Sequence, residues 1–195
     1  MIDPASIASE AAILVLTTNK LSHQISTLLT KITTTSLATP LLVLKVELDT
    51  LSSVLGSLSA KFSSALTAST ALTNITGFED EFWGNVRRSM NDCGVTLGTL
   101  ELVLRTVREG ERGRFGIAGM GMGMGMGRKT MSKVERELER KAPEMAWLKF
   151  HVTAYHKMMG LCVQLVNVYS PRPIPVYPVY RLPRYPVYPV LVFEY

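Results

Sequence analysis

Between Phe78 and Val107 the apolar residues Phe78, Phe82, Val86, Cys93, Leu97, Leu100, Leu104 and Val107 recur in steps of three, four or seven. Residues at these intervals fall on one side of a 3.6-residue turn, so together they draw a single stripe down an α-helix. At about 1.5 Å rise per residue that helix is roughly 45 Å long, and covering its stripe requires partners that lie along it. Glu79, Asp80 and Glu81 open it, and Arg105 and Arg108 precede Gly110 at its end, so the charges oppose the macrodipole at both termini. The stretch predicts a core helix with the other segments packed against it as antiparallel neighbours.

Three further stripes supply those neighbours. Asp3-Pro4 reads as an N-cap followed by proline at the first helical position, and Ala11, Leu14, Leu21, Ile25, Leu28 and Ile32 keep helical spacing behind it. The run Thr33-Thr34-Thr35-Ser36 is β-branched and rich in hydroxyls, and predicts a connection. Thr39-Pro40 predicts the second start, followed by Leu44, Leu48, Leu51, Leu55, Leu58 and Phe62, with Leu41, Leu42 and Val43 thickening its beginning. Beyond Phe62 the small, hydroxylated residues 63–76 read either as a short extra helix or as a loop closed by Thr76-Gly77. The last helix is expected to open near Thr130 to Ser132. Its face of Lys133, Glu135, Arg136, Glu137, Glu139, Arg140 and Lys141 reads as solvated, and its stripe runs through Val134, Leu138, Met145, Leu148, Val152, Tyr155, Met159, Cys162 and Leu165. Pro143 is expected to kink or restart it, since proline removes a backbone donor and crowds the preceding turn.

Two stretches break the pattern. Residues 113–129 include alternating Gly and Met from Gly119 to Gly127, and glycine at every second position costs too much backbone entropy for a helix or a packed strand. They predict a flexible Gly/Met loop. From Ser170-Pro171 to Tyr195 prolines recur among Val and Tyr, which excludes helix and predicts an extended, polyproline-like tail. Within it Arg172, Pro175 and Pro178 fit the basic-plus-PxxP pattern of a polyproline ligand. A chain of 195 residues is expected to form one domain with a tail. The fold class is therefore all-α, an antiparallel bundle of four main helices over residues 1–169, with the Gly/Met loop inside it and the tail at 170–195.

The chain offers no recognisable catalytic arrangement. Gly127-Arg128-Lys129-Thr130 imitates a phosphate loop, but Arg128 separates the glycine from the lysine and a helix stands where a buried strand is needed. His23, His151 and His156 are scattered, and a spacing of five between the last two does not align them for a metal. No Ser, Cys or Thr has a nucleophile's setting, and no carboxylate pair stands in apolar surroundings. The expectation is a non-enzyme with no cofactor, no metal and no small-molecule substrate. The net charge of +5 is compatible with anionic lipid or nucleic acid, but only 19% of residues are charged and no Lys/Arg block dominates, so no nucleic-acid partner is expected. Cys93 and Cys162 lie on two different stripes, where thiols act as small hydrophobes, and two cysteines in a chain of this length predict a reduced, intracellular pair. Asp3 and Glu10 flank the apolar run Ala11 to Leu16 and argue against a cleaved signal, and no run reaches the roughly 20 apolar residues of a spanning helix.

The opening Asp3-Pro4-Ala5-Ser6-Ile7-Ala8-Ser9, followed by an alanine-rich apolar helix, resembles the start of the fungal N-terminal domain of STAND proteins, the HeLo-like group. The Leu44 to Leu58 segment is similar to that family's leucine-patterned helix, Asp92-Cys93-Gly94-Val95-Thr96-Leu97 to its long helix around a cysteine, and Phe150 to Leu165, around Tyr155-His156-Lys157-Met158-Met159, to its final helix. The resemblance covers residues 1–169. It implies a cytoplasmic signalling or adaptor module of fungal immune-type receptors, here as a solo module or a truncated gene, with like helical domains, itself included, as partners. Some relatives permeabilise membranes through the first helix, which would put Ile2, Ile7, Ala11, Ile13, Leu14, Val15 and Leu16 against an anionic membrane surface or a partner. The first helix departs from those relatives in lacking their glycine-rich pattern and in placing Glu10 beside the apolar run, where burial in lipid is costly. Ordinary core packing is the competing reading of the same seven residues.

Overall fold

In a computed structural model, residues 4–65, 80–112 and 131–169 are described, and all fall in four helices and their immediate flanks. These are α1 (Pro4–Leu29), α2 (Thr35–Ala65), α3 (Asp80–Arg112) and α4 (Lys133–Tyr169). The expected loop at 113–129, the tail at 170–195, Ile2, Phe78 and most of 63–76 lie outside the described residues.

Successive helices reverse direction. Ser52 Oγ donates to Asn19 Oδ1 (2.7 Å) and Ser59 Oγ to the Ala8 carbonyl (3.0 Å), so numbers rise along α2 as they fall along α1. Arg87 Nε donates to Glu10 Oε1 (2.7 Å), and further along Lys20 pairs with Glu101, so α1 and α3 run the same way. Thr34 bonds Glu135 at one end, and Glu47 meets His156 farther on, so α2 and α4 are likewise parallel. The order around the bundle is α1, α2, α4, α3, with antiparallel pairs α1/α2 and α3/α4 and parallel pairs α1/α3 and α2/α4.

The stripes meet in one core. Every α2 stripe residue from Leu44 to Phe62 is buried, as are Ala11, Leu14, Leu21, Ile25 and Leu28 of α1, and Val86, Cys93, Leu97, Leu100, Leu104 and Val107 of α3. Trp83 adds the largest buried side chain, edge-on to Phe62 (5.3 Å, 86°) and to Phe82 (5.0 Å, 84°) where α2 ends and α3 begins. These rings lock one end of the bundle, because edge-to-face pairs add about 0.5–1.5 kcal/mol each to simple burial.

Several details differ from the sequence expectation. α2 starts at Thr35, so Pro40 lies inside it rather than at its first position; the Thr34 carbonyl accepts the amides of Leu37 (3.2 Å) and Ala38 (3.1 Å) and starts the helix a turn early. α4 runs through Pro143 without restarting. Leu42 and Val43 point outward, and Ile32 packs against the core from beyond the end of α1. Glu135 is buried, at 2% exposure, rather than solvated.

Candidate interaction surface

Glu135 closes the other end of the bundle. Its Oε2 accepts the Ser132 amide (2.8 Å) while its own amide donates to Ser132 Oγ (3.2 Å), a reciprocal capping box that satisfies donors at the start of α4. Its Oε1 accepts the amides and hydroxyls of both Thr33 and Thr34 at 2.8–3.0 Å, tying the α1–α2 turn to the fourth helix. The Ser132 amide, then the Thr34 hydroxyl and the Thr33 amide, hold this carboxyl far below the ordinary glutamate range, since each donor favours the ionised form. Asp49, between α2 and α1, is also lowered: burial opposes ionisation, but the hydrogen bonds from Lys45 and Ser22 outweigh it.

The candidate face on α1 divides. Ile7, Ala11 and Leu14 are core, and Val15 is half-buried against it. Ile13 and Leu16 stand 62% and 72% exposed. A continuous apolar run on a helix must split this way, because six consecutive residues turn through well over a full circle. A Cβ built on Gly94 would lie 3.5 Å from Leu14, which puts Val95 of α3 at the height of Ile13 and Leu16; Val95 and, one heptad on, Leu102 are also exposed. Glu10, beside this face, is engaged by Arg87.

A second apolar feature lies between α2 and α4. Leu37, Pro40 and Leu44 face Ala142, Met145 and Ala146 across an open groove of about 260 Å³, with Lys149 at its edge. The alanines leave the space, and the lining is almost wholly carbon, so the groove offers contact area and no set of convergent polar groups. Leu42, Val43 and Val46 are exposed on α2 nearby.

The third lies on the outside of α4, where Trp147, Phe150, Leu161 and Val168 are 57%, 68%, 60% and 75% exposed. His151 packs tilted against Trp147 (4.1 Å, 55°) and meets Phe150 edge-on (5.7 Å, 88°). His156 instead turns to α2, its Nδ1 3.1 Å from Glu47 Oε2. The two histidines therefore serve different neighbours.

Burial pushes the Cys93 thiol up to about 12 and raises that of Cys162 as well, so both stay protonated at neutral pH and neither is a nucleophile. Among the described residues no three His, Cys, Asp or Glu side chains gather as a metal site, and no helix is long and apolar enough to cross a membrane. Arg172, Pro175 and Pro178 lie outside the described residues. No family model, curated protein or solved structure matches the chain.

Sequence reasoning missed Glu135 and the outer face of α4. Both had a signal: Ser132-x-x-Glu135 is a capping-box pattern before an apolar run, and the exposed apolar residues of α4 keep helical spacing of their own.

Proposed function

We propose that this chain is a non-enzymatic, adaptor-like helical module that binds like helical domains, itself included, through exposed helix faces, as its resemblance to fungal STAND N-terminal domains of the HeLo-like group implies. On this reading it works in the cytoplasm without cofactor, nucleic acid or small-molecule substrate. The observation that supports it is the placement of large apolar side chains in three organised outward faces, on α1/α3, α2 and α4, beside a groove with no convergent polar groups. Contiguous exposed apolar surface marks association sites more often than chance. Size-exclusion chromatography with light scattering, alone and mixed with a fungal STAND N-terminal domain, tests the proposal. A self-assembled or mixed complex is expected; a strictly monomeric chain that binds no such domain refutes it.

The exposure of Ile13 and Leu16 favours a second reading, a membrane-targeting or permeabilising effector that meets an anionic surface through α1. Contact by the folded bundle uses these two residues, whereas Ile7, Ala11 and Leu14 require α1 to leave the core. Co-sedimentation with anionic and neutral liposomes checks it: binding to anionic vesicles that Leu16→Asp abolishes supports this reading, and no pelleting removes it.

A further inference from the structure

α4 is apolar on two opposite sides, and the bundle covers one. The buried side is Val134, Leu138, Met145, Leu148, Val152, Met159, Cys162 and Val166. At about 100° per residue the other stripe, Pro143, Trp147, Phe150, Ala154, Met158, Leu161, Leu165 and Val168, lies roughly half a turn away. Of these, Met158 and Leu165 are half-buried and the rest exposed. A second apolar stripe on the outside of a helix is the kind of exposed patch that marks an association site. Lys157 and His151 flank the stripe, and there is no carboxylate between Met145 and Tyr169. Aromatic residues and methionine with little charge are the composition of a homodimer core.

The geometry points to a second copy of this chain as the occupant, with the two α4 helices packed antiparallel across a two-fold axis at Ala154. The inference rests on the proposed self-association and names its seam. From Pro143 to Leu165 the intervals of the stripe read the same in both directions from Ala154, at four, seven and eleven residues, while Val168 lies beyond this symmetric part, level with the partner's Arg140. Antiparallel pairing therefore sets Trp147 level with the partner's Leu161, Phe150 level with the partner's Met158, and Pro143 level with the partner's Leu165. Each large ring meets a flexible aliphatic chain, and the small Ala154 sits where the two helices come closest. In-register parallel pairing would instead set Trp147 on Trp147 and Lys157 on Lys157, opposing bulk and like charge. The four most exposed side chains and their neighbours offer on the order of 500 Å² per copy, given ~150–250 Å² for a whole aromatic residue. A pair then buries roughly 1,000 Å², the floor for a specific interface.

Sedimentation equilibrium of the full chain, with single-cysteine cross-linking, tests this. The expected result is a species of twice the chain mass that Phe150→Glu weakens at least about tenfold, with helical content and Trp83 emission unchanged to show that the variant folds. Ala154→Cys should cross-link to itself rapidly with oxidised glutathione, while Ser57→Cys, on the exposed side of α2, should not; Cys93 and Cys162 are buried and do not compete. A dimer that Phe150→Glu leaves intact, or in which Ala154→Cys cross-links no faster than Ser57→Cys, overturns the seam and leaves the self-association reading standing. A monomer that binds no like domain overturns both. A monomer that pellets with anionic vesicles through Phe150 overturns the second copy as occupant in favour of lipid.

Discussion

Trp83 should be the costliest side chain to remove from this bundle. It is fully buried, and the rings of Phe82 and Phe62 meet it edge-on at 5.0 and 5.3 Å. Burying ~200 Å² of indole at ~25 cal/mol/Å² corresponds to about 5 kcal/mol, and the two ring pairs add about 1 kcal/mol each when truncated. Collapse of the neighbours into the space recovers part of this, and buried Trp→Ala changes fall at ~3–5 kcal/mol. About 4 kcal/mol is expected for Trp83→Ala, which in a chain of this size lowers Tm by roughly 8–16 °C. Trp83→Phe, which keeps a ring, should cost less than half as much. The assay is urea and thermal unfolding followed by far-UV circular dichroism and tryptophan emission, with Trp147→Ala as the comparison. The chain has two tryptophans, so Trp83→Phe should leave only the emission of Trp147, which is 57% exposed in the single chain and red-shifted under conditions where no second copy covers it. A loss below about 1 kcal/mol for Trp83→Ala would refute the placement of Trp83 as the lock of that end.

Glu135→Gln should lower Tm at neutral pH and flatten its acid dependence. The folded state depresses this pKa, so the carboxylate stabilises above the ordinary glutamate range and that stability is lost as pH falls from about 4–5 toward the lower folded value; a Tm series down to about pH 3 reads it, and parallel curves for the two proteins contradict the clasp. Cys93 and Cys162 should resist iodoacetamide at neutral pH in the native protein and react after denaturation, as mass spectrometry will show; rapid native alkylation of Cys93 would count against its burial. Leu14→Asp should destabilise by about 3–5 kcal/mol through an unpartnered buried charge, whereas Ile13→Asp should stay within roughly 0.5 kcal/mol, as chemical denaturation will measure. Equal costs at these adjacent positions would mean that α1 does not sit in the bundle as described.

The existence of four helices, and the residues each turns inward over most of its length, were legible in the chain itself. Spacings of three, four and seven leave little choice about which side of a helix is apolar, and Pro4 marks a start because its fixed φ suits the first turn. The α2 stripe from Leu44 to Phe62 is buried residue for residue. Boundaries were less legible where a distant group set them: Thr34 begins α2 before Pro40 while Glu135, about a hundred residues away, holds its amide and hydroxyl, and no local rule contains that contact. The same holds for Glu135 itself, which looks like part of a charged face until the threonines that bind it are brought near. Within Ala11 to Leu16 composition is uniformly apolar, and only the positions of α2 and α3 decide that Leu14 goes in while Ile13 and Leu16 stay out. α4 is the clearest case. Its buried stripe from Val134 to Cys162 was legible at helical spacing, but the chain does not say that the last inward residue is Val166 rather than Leu165, which is half-buried. That choice, and the order α1, α2, α4, α3 that puts parallel helices side by side, belong to the tertiary structure, because helical periodicity records which residues share a face and carries no information about which helix that face will meet.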